Sequence, residues 1–162
     1  MFTPDLLARA EKLLAEARAQ GFKIVTAESC TGGLVAGLLT EIPGSSDVVE
    51  RGFVTYSNDA KQDLLGVPRE ILQSHGAVSE QTARAMAQGA LKHSRADIAV
   101  AVTGIAGPGG GSTDKPVGLV HFSAARGNRI IHRECRFGDI GRGAVRARSV
   151  EVALGMLQSL LA

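Results

Sequence analysis

A three-layer α/β/α sandwich around a mixed, mostly parallel central sheet is the fold that the sequence predicts, and three observations carry it. Helix-spaced apolar patterns alternate with short β-rich runs along the whole chain. The run DIAVAVTG at 97–104 is apolar enough for a central strand buried on both faces. The runs VGLVHFSA and RIIHRECRF flank Arg126-Gly127-Asn128 as a hairpin, so at least one strand is antiparallel to the rest. With 162 residues, 44% of them hydrophobic and 21% charged, the chain suits one domain over residues 1–162 with a substantial core. Neither a repeat nor an interdomain linker interrupts it.

The first element is a surface helix. Leu6, Leu7, Ala10, Leu13, Leu14 and Ala17 recur at helical spacing, with Thr3 placed to cap, Pro4 at the first helical position and Gly21 just past the end. FKIVT at 22–26 reads as a short strand, and Leu34 to Leu39 as a helix that ends before Pro43. The stretch TAESCTGG at 26–33 therefore lies at a strand-to-helix joint. Val48 to Tyr56 is β-rich, and Ser57-Asn58-Asp59 offer cap chemistry for a short helix AKQDLL that stops at Gly66. Ser79 caps a longer helix, SEQTARAMAQGALKHS, whose Ala-rich face suits close packing on a sheet. The central strand, the glycine-dense loop IAGPGGGSTDKP and the hairpin follow, and a helix from about Arg142 to Leu161 closes the chain.

Composition excludes several classes of function. A formal net charge of +2 does not make a nucleic-acid or membrane surface, which needs clustered positive charge. No apolar run approaches the roughly 18 residues of a membrane span, and MFTPDLLARAEKLL has acids where a signal peptide is basic and then apolar. Cys30 and Cys135 show neither CxxC nor Cys/His ligand spacing, so no zinc site or disulfide framework is indicated. A reducing cytoplasm is the expected compartment, with Cys135 as a small buried residue.

Three places carry candidate chemistry. At the TAESCTGG joint, the first N–H groups of the helix lack intrahelical partners and can face an anion, Gly32 and Gly33 let a ligand approach the backbone, and Ser29 sits at the lip. A cap formed by Ser29 or Thr31 is the alternative reading. A serine nucleophile needs a base. None of the four histidines stands in an obvious pairing. Lys61, one turn into the helix after VTYSND, is a candidate base, although lysines at such positions are more often solvated. The third place is TGIAGPGGGSTDKPVG after the central strand, where Gly104, Gly107, Gly109, Gly110 and Gly111 expose backbone donors for a phosphate or other polar ligand. It matches neither reference phosphate-loop signature. Seven arginines fall between Arg126 and Arg148 against only Glu134 and Asp139.

Together, TAESCTGG, VTYSNDAK and TGIAGPGGGSTDKPVG resemble the CinA C-terminal domain family, whose activity is nicotinamide-nucleotide amidohydrolase; the resemblance covers about residues 5 to 160. It implies an α/β/α sandwich that converts nicotinamide mononucleotide to nicotinate mononucleotide and ammonia, with the family's Ser-Lys dyad at Ser29 and Lys61. The family's closing motif runs GDR, two residues, an apolar residue and Arg. Here GDIGRGAVR keeps the spacing of Arg142 and Arg146 but inserts two residues after Gly138-Asp139. Without the N-terminal domain of longer members, the chain looks like the stand-alone amidase form.

On that resemblance, neutral Lys61 takes the Ser29 proton, Ser29 attacks the carboxamide, and N–H groups near Thr31 to Gly33 hold the oxyanion. The Lys61 pKa must then fall to about 7 to 8, through burial and the potential of a helix N-terminus. Cys30, Thr31, Gly32, Gly33 and Tyr56 are expected to contact substrate at the reacting end. Asn58, Thr103, Gly104, Gly107, Gly109 and Arg142 are expected toward ribose and phosphate. No metal or cofactor is required. The expected partner is the small-molecule substrate alone, with no nucleic acid and no membrane, and the protein is expected as a cytoplasmic homo-oligomer. A nucleotide-binding regulatory module without turnover, and a Cys30 thiol amidase, are the rival readings.

Overall fold

The structure, a computed structural model, describes residues 1–162. Helix α1 (Pro4–Gln20) begins and ends as the sequence predicts: Thr3 Oγ1 accepts from the Leu6 N–H, and Gly21 closes the helix in the left-handed region at φ 71°. Then come β1 (Ile24–Glu28), α2 (Leu34–Glu41), a 3₁₀ turn (Ser45–Asp47), β2 (Val49–Val54), α3 (Asn58–Leu65), α4 (Arg69–His75) and α5 (Glu80–Lys92). The chain ends with β3 (Ile98–Gly104), β4 (Leu119–Arg126), β5 (Arg129–Arg136) and α6 (Arg142–Leu161).

Three expectations are corrected. β1 starts two residues later than FKIVT because the exit of α1 uses residues 22 and 23: the Phe22 N–H returns to Ala17 O, and the Lys23 N–H goes to the Asp97 carboxylate. Helix α4 was not foreseen; it has seven residues and no side-chain cap, too little pattern to register. Cys135 is half-buried rather than buried, because β5 is an edge strand.

The sheet runs β2-β1-β3-β4-β5. β2, β1 and β3 pair in parallel, β4 is antiparallel to both its neighbours, and so four of the five strands point the same way. β3 is the middle strand and serves both cores. Ile98, Val100 and Val102 face a 26-residue cluster with α1, α2 and α6, while Ala99 and Ala101 face an 11-residue cluster with α3, α4 and α5. The small residues of β3 meet Ala87 and Ala90 of α5, so this helix lies close to the sheet as its Ala-rich face predicts. No helix is long and apolar enough to cross a membrane.

The α3–α5 contact depends on one glycine. A Cβ at Gly89 would collide with the backbone carbonyl of Leu65, and backbone cannot yield as a side chain can. Gly89→Ala gains helix propensity of about 1 kcal/mol, yet overpacking should outweigh it and leave a net loss of about 2 kcal/mol or more. The midpoint of urea denaturation measures this; an unchanged or higher midpoint would show that the two helices separate freely.

Candidate active site

At the end of β1 the Ser29 N–H continues the ladder onto β3, donating to Val102 O at 2.9 Å. Ser29 is thereby fixed at the rim of the two central parallel strands, at the carboxyl ends where α/β sheets hold ligands. α2 is not capped by Ser29 or Thr31. Its N-cap is Gly33 at φ 99° with no side-chain bond, and Thr31 Oγ1 is buried without a partner. The cap comes from Glu28, fully buried, whose carboxylate accepts from the N–H groups of Val35 at 2.8 Å and Ala36 at 3.0 Å. The Ser29 hydroxyl is therefore free of structural duty. The main-chain N–H groups of Cys30, Thr31 and Gly33 find no acceptor in the protein.

Lys61 reaches Ser29 from α3. Ser57 caps that helix, accepting from the Ala60 N–H at 3.0 Å, and the Lys61 N–H makes the first helical bond, to Ser57 O. This puts Lys61 on the same stripe as Leu65, four residues on, which is anchored in the α5 core. Lys61 is completely buried. Its Nζ donates to Ser29 Oγ at 3.0 Å and to Thr55 O at 2.8 Å, and no carboxylate pairs with it. Burial of the unpaired ammonium pushes its pKa down from 10.5 to about 8. The helix-terminus contribution expected from the sequence is not needed, since Glu28 already occupies the end of α2.

A cleft of about 260 Å³ opens over this pair. Besides Ser29, Cys30 and Lys61, its lining includes Tyr56, Thr103, Gly104, Gly107, Gly109, Gly110 and Arg142. Arg142 spans the mouth, donating from Nη1 to Gly107 O at 2.9 Å and from Nη2 to the Tyr56 hydroxyl at 3.1 Å. The N–H groups of Ala106, Gly107, Gly109, Gly110 and Gly111 have no acceptor in the protein. A site with a guanidinium held only by neutral oxygens and a row of open amides suits an anionic ligand whose other end lies against a serine–amine pair.

The CinA C-terminal domain family matches residues 7–161. The chain belongs to that family. The relatives it resembles include the protein named nicotinamide-nucleotide amidohydrolase PncC of Escherichia coli K12, 52% identical over 159 residues, which are 97% of this chain and 95% of that one. A CinA-like protein of Mycolicibacterium paratuberculosis is 51% identical over 97% of this chain, and the chain spans about a third of the length of such longer relatives. Among solved structures, the competence/damage inducible protein CihA of Agrobacterium tumefaciens superposes with a TM-score of 0.98 at 56% identity, covering 100% of this chain and 99% of the other. A CinA superfamily protein of Escherichia coli gives 0.92 at 31% identity, covering 99% and 94%.

Within this CinA domain the structure does not gather every residue singled out from the sequence. Asn58 lies at the head of α3 in a separate polar cavity with Asp59, Gln62 and Arg69. Thr31, Gly32 and Gly33 stand behind Cys30 and do not line the cleft. Arg142 does line it, despite the two extra residues in GDIGRGAVR. Cys30 lines it as a thiol, its pKa pushed up to about 11 by burial. No histidine takes part; His121 and His132, unpaired in the sequence reading, bond to each other on the hairpin at 2.9 Å. Nowhere are three or more His, Cys, Asp or Glu side chains grouped to hold a metal ion.

Sequence reasoning missed Glu28 and the wall formed by Ala77 and Val78 between α4 and α5. Thr103 holds that wall, its Oγ1 donating to Ala77 O at 2.8 Å. An acidic residue at the last position of a strand just before a helix was the available signal for Glu28. Ala77 and Val78 carry no signal of their own.

Proposed function

We propose that the chain hydrolyses the carboxamide of nicotinamide mononucleotide to nicotinate mononucleotide and ammonia, with Ser29 as nucleophile and Lys61 as its base. The observation that carries this reading is the 3.0 Å bond between a buried, carboxylate-free Lys61 Nζ and Ser29 Oγ. With its pKa near 8, a useful fraction of Lys61 is neutral at physiological pH, which a base requires.

Neutral Lys61 removes the hydroxyl proton as Ser29 Oγ bonds to the carboxamide carbon, and the unpaired N–H of Cys30, the one residue of the Cys30–Gly33 turn that lines the cleft, is the donor suited to the oxyanion. Collapse breaks the C–N bond, and the Lys61 ammonium returns its proton to the departing nitrogen, giving ammonia and an ester on Ser29. Water then attacks the ester with Lys61 again as base, releasing the acid and restoring the hydroxyl. Arg142 and the open amides of the glycine loop are the groups suited to the phosphate. The relative named as a nicotinamide-nucleotide amidohydrolase supports the choice of substrate. Incubation of the purified protein with nicotinamide mononucleotide should release ammonia and the acid in equal amounts; no release would remove the assignment.

The glycine loop supplies a second check. Gly107, at φ 84°, is a poor place to test binding, because a Cβ there would sit 2.6 Å from Val117 Cγ1 and strain the fold. Gly109 has open space around the position of a Cβ and lines the cleft. Gly109→Val should therefore raise KM by roughly tenfold, about 1.4 kcal/mol, with little change in the denaturation midpoint. Gly107→Val should lower the midpoint. Unaltered KM in folded Gly109→Val would show that the substrate does not approach this part of the loop.

A further inference from the structure

When protonated, Lys61 carries a charge that nothing in the protein balances. It forms no ion pair, and the acceptors around its Nζ are all neutral: Thr55 O at 2.8 Å, Ser29 Oγ at 3.0 Å and Tyr56 O at 3.5 Å. The cleft lining contains no Asp, Glu or His; its other titratable side chains are Cys30, Tyr56 and Arg142. Cys30, its pKa pushed up to about 11, stays a neutral thiol. The segment between α4 and α5 brings only Ala77 and Val78 to the cleft, and the end of β3 with the glycine loop brings only uncharged residues. The buried carboxylate of Glu28 is already taken up by the N–H groups of α2. A buried ammonium in such surroundings gains strongly from any anion that reaches it.

We infer that the acid product, a phosphorylated aromatic carboxylate, binds this cleft more tightly than the amide substrate and inhibits the enzyme, its carboxylate pairing with the Lys61 ammonium. The inference rests on the amidase reading with Ser29 as nucleophile. Substrate and product share ring, ribose and phosphate, so they differ at the reacting group alone, a neutral carboxamide in one and a carboxylate in the other. The reacting carbon must come within reach of Ser29 Oγ, itself 3.0 Å from Lys61 Nζ, and the carboxylate oxygens are therefore formed beside that amine. The Cys30 N–H, unpaired and on the cleft, is a second donor to them. Proton balance leads to the same pair. Water attacking the ester gives one proton to Lys61, which passes it to Ser29 Oγ as the C–O bond breaks, and a carboxylic acid remains beside a neutral amine. A carboxyl group ionises near pH 4, so its proton moves to Lys61 and leaves carboxylate against ammonium. While the product stays, Lys61 is held in the form that cannot act as a base.

The test is calorimetric binding of nicotinate and nicotinamide mononucleotides. Ser29→Ala, which cannot turn the amide over, gives both Kd values in one protein, and at pH 7 the acid should bind about tenfold tighter or more. Lys61→Met should bring the two within about threefold of each other, by weakening the acid alone. In wild type the acid should inhibit competitively against the amide. The sign of its pH dependence follows from the Lys61 pKa of about 8. Below that value the free enzyme already holds the ammonium, and above it the amine must take up a proton to form the pair. The Kd of the acid should therefore rise roughly tenfold from pH 7 to pH 9, and near pH 8 its binding to wild type should take up about half a proton, read from heats in two buffers. Phosphate does not imitate this, because its second pKa is about 6 and both ligands carry it. Equal affinities for acid and amide in Ser29→Ala, an acid Kd unmoved in folded Lys61→Met, or absence of proton uptake near pH 8 would each overturn the inference. If Lys61→Met does not fold, proton uptake by wild type decides in its place. Wild type that neither hydrolyses the amide nor binds the acid overturns the amidase reading and this inference together, whereas active wild type with no preference for the acid in Ser29→Ala overturns this inference only.

Discussion

Ser29→Ala and Lys61→Ala are each expected to lower kcat for ammonia release by roughly 10³-fold or more, and the double variant is expected to be scarcely worse than either. Groups that act as a unit lose their shared function once, so non-additivity is the signature sought. Folding should survive Ser29→Ala, because Glu28 and not Ser29 caps α2, and because Lys61 Nζ retains Thr55 O as an acceptor. The 0.5 to 2 kcal/mol or so expected for loss of an N-cap should therefore be absent. Lys61→Arg should also be inactive, since a guanidinium stays charged near neutral pH. Turnover near wild type by folded Ser29→Ala would remove Ser29 as nucleophile, and the same result for Lys61→Arg would remove Lys61 as base.

The second large effect is on stability, and its sign follows from the depressed Lys61 pKa. In the unfolded chain this lysine titrates near 10.5, in the folded chain at about 8. Below pH 8 both states carry the proton, and the fold bears the full penalty of a buried ammonium, about 3 kcal/mol at 1.36 kcal/mol per pKa unit. Between pH 8 and 10.5 the unfolded state binds a proton that the folded state has released, so stability rises with pH across that window. Lys61→Met removes the titration. Relative to Lys61→Met, wild type should therefore gain roughly 2 to 3 kcal/mol from pH 7 to pH 10 in urea denaturation. A stability difference that does not vary with pH would show that Lys61 keeps an ordinary pKa. The wild-type rate should rise through the same pKa near 8, as neutral Lys61 accumulates.

Much of the fold could be read locally, and the reasons are specific. Thr3, Pro4 and Gly21 bracket α1 because cap and φ preferences act within a few residues. The Gly127-Asn128 turn sets the hairpin in the same way, and the apolar run at 98–104 had only one suitable place, the middle of the sheet. What escaped depends on contacts distant in sequence. The start of β1 was displaced by Asp97, 74 residues away. A lysine at such a position is usually solvated, and only its place one turn into the helix after a strand end pointed Lys61 toward a cleft. Arg142 meets Tyr56 across 86 residues, a pairing that no periodicity encodes. Ser29 and Lys61 were candidates from their places at two strand-to-helix joints and were joined as a dyad by resemblance, whereas their bond, the burial behind it and the Glu28 cap needed coordinates.

On the proposed function, the guanidinium across the cleft mouth would also rank visitors by charge. Arg142 is engaged by two neutral oxygens, Gly107 O and the Tyr56 hydroxyl. A phosphate entering the cleft would add an opposite charge and a bidentate acceptor to a guanidinium whose present partners are neutral and single, so it could draw the guanidinium away from both. A free amide such as nicotinamide has nothing comparable to exchange and meets the bridge in place. Selection between a nucleotide and its bare base would then be made at the entrance, before either reached the serine.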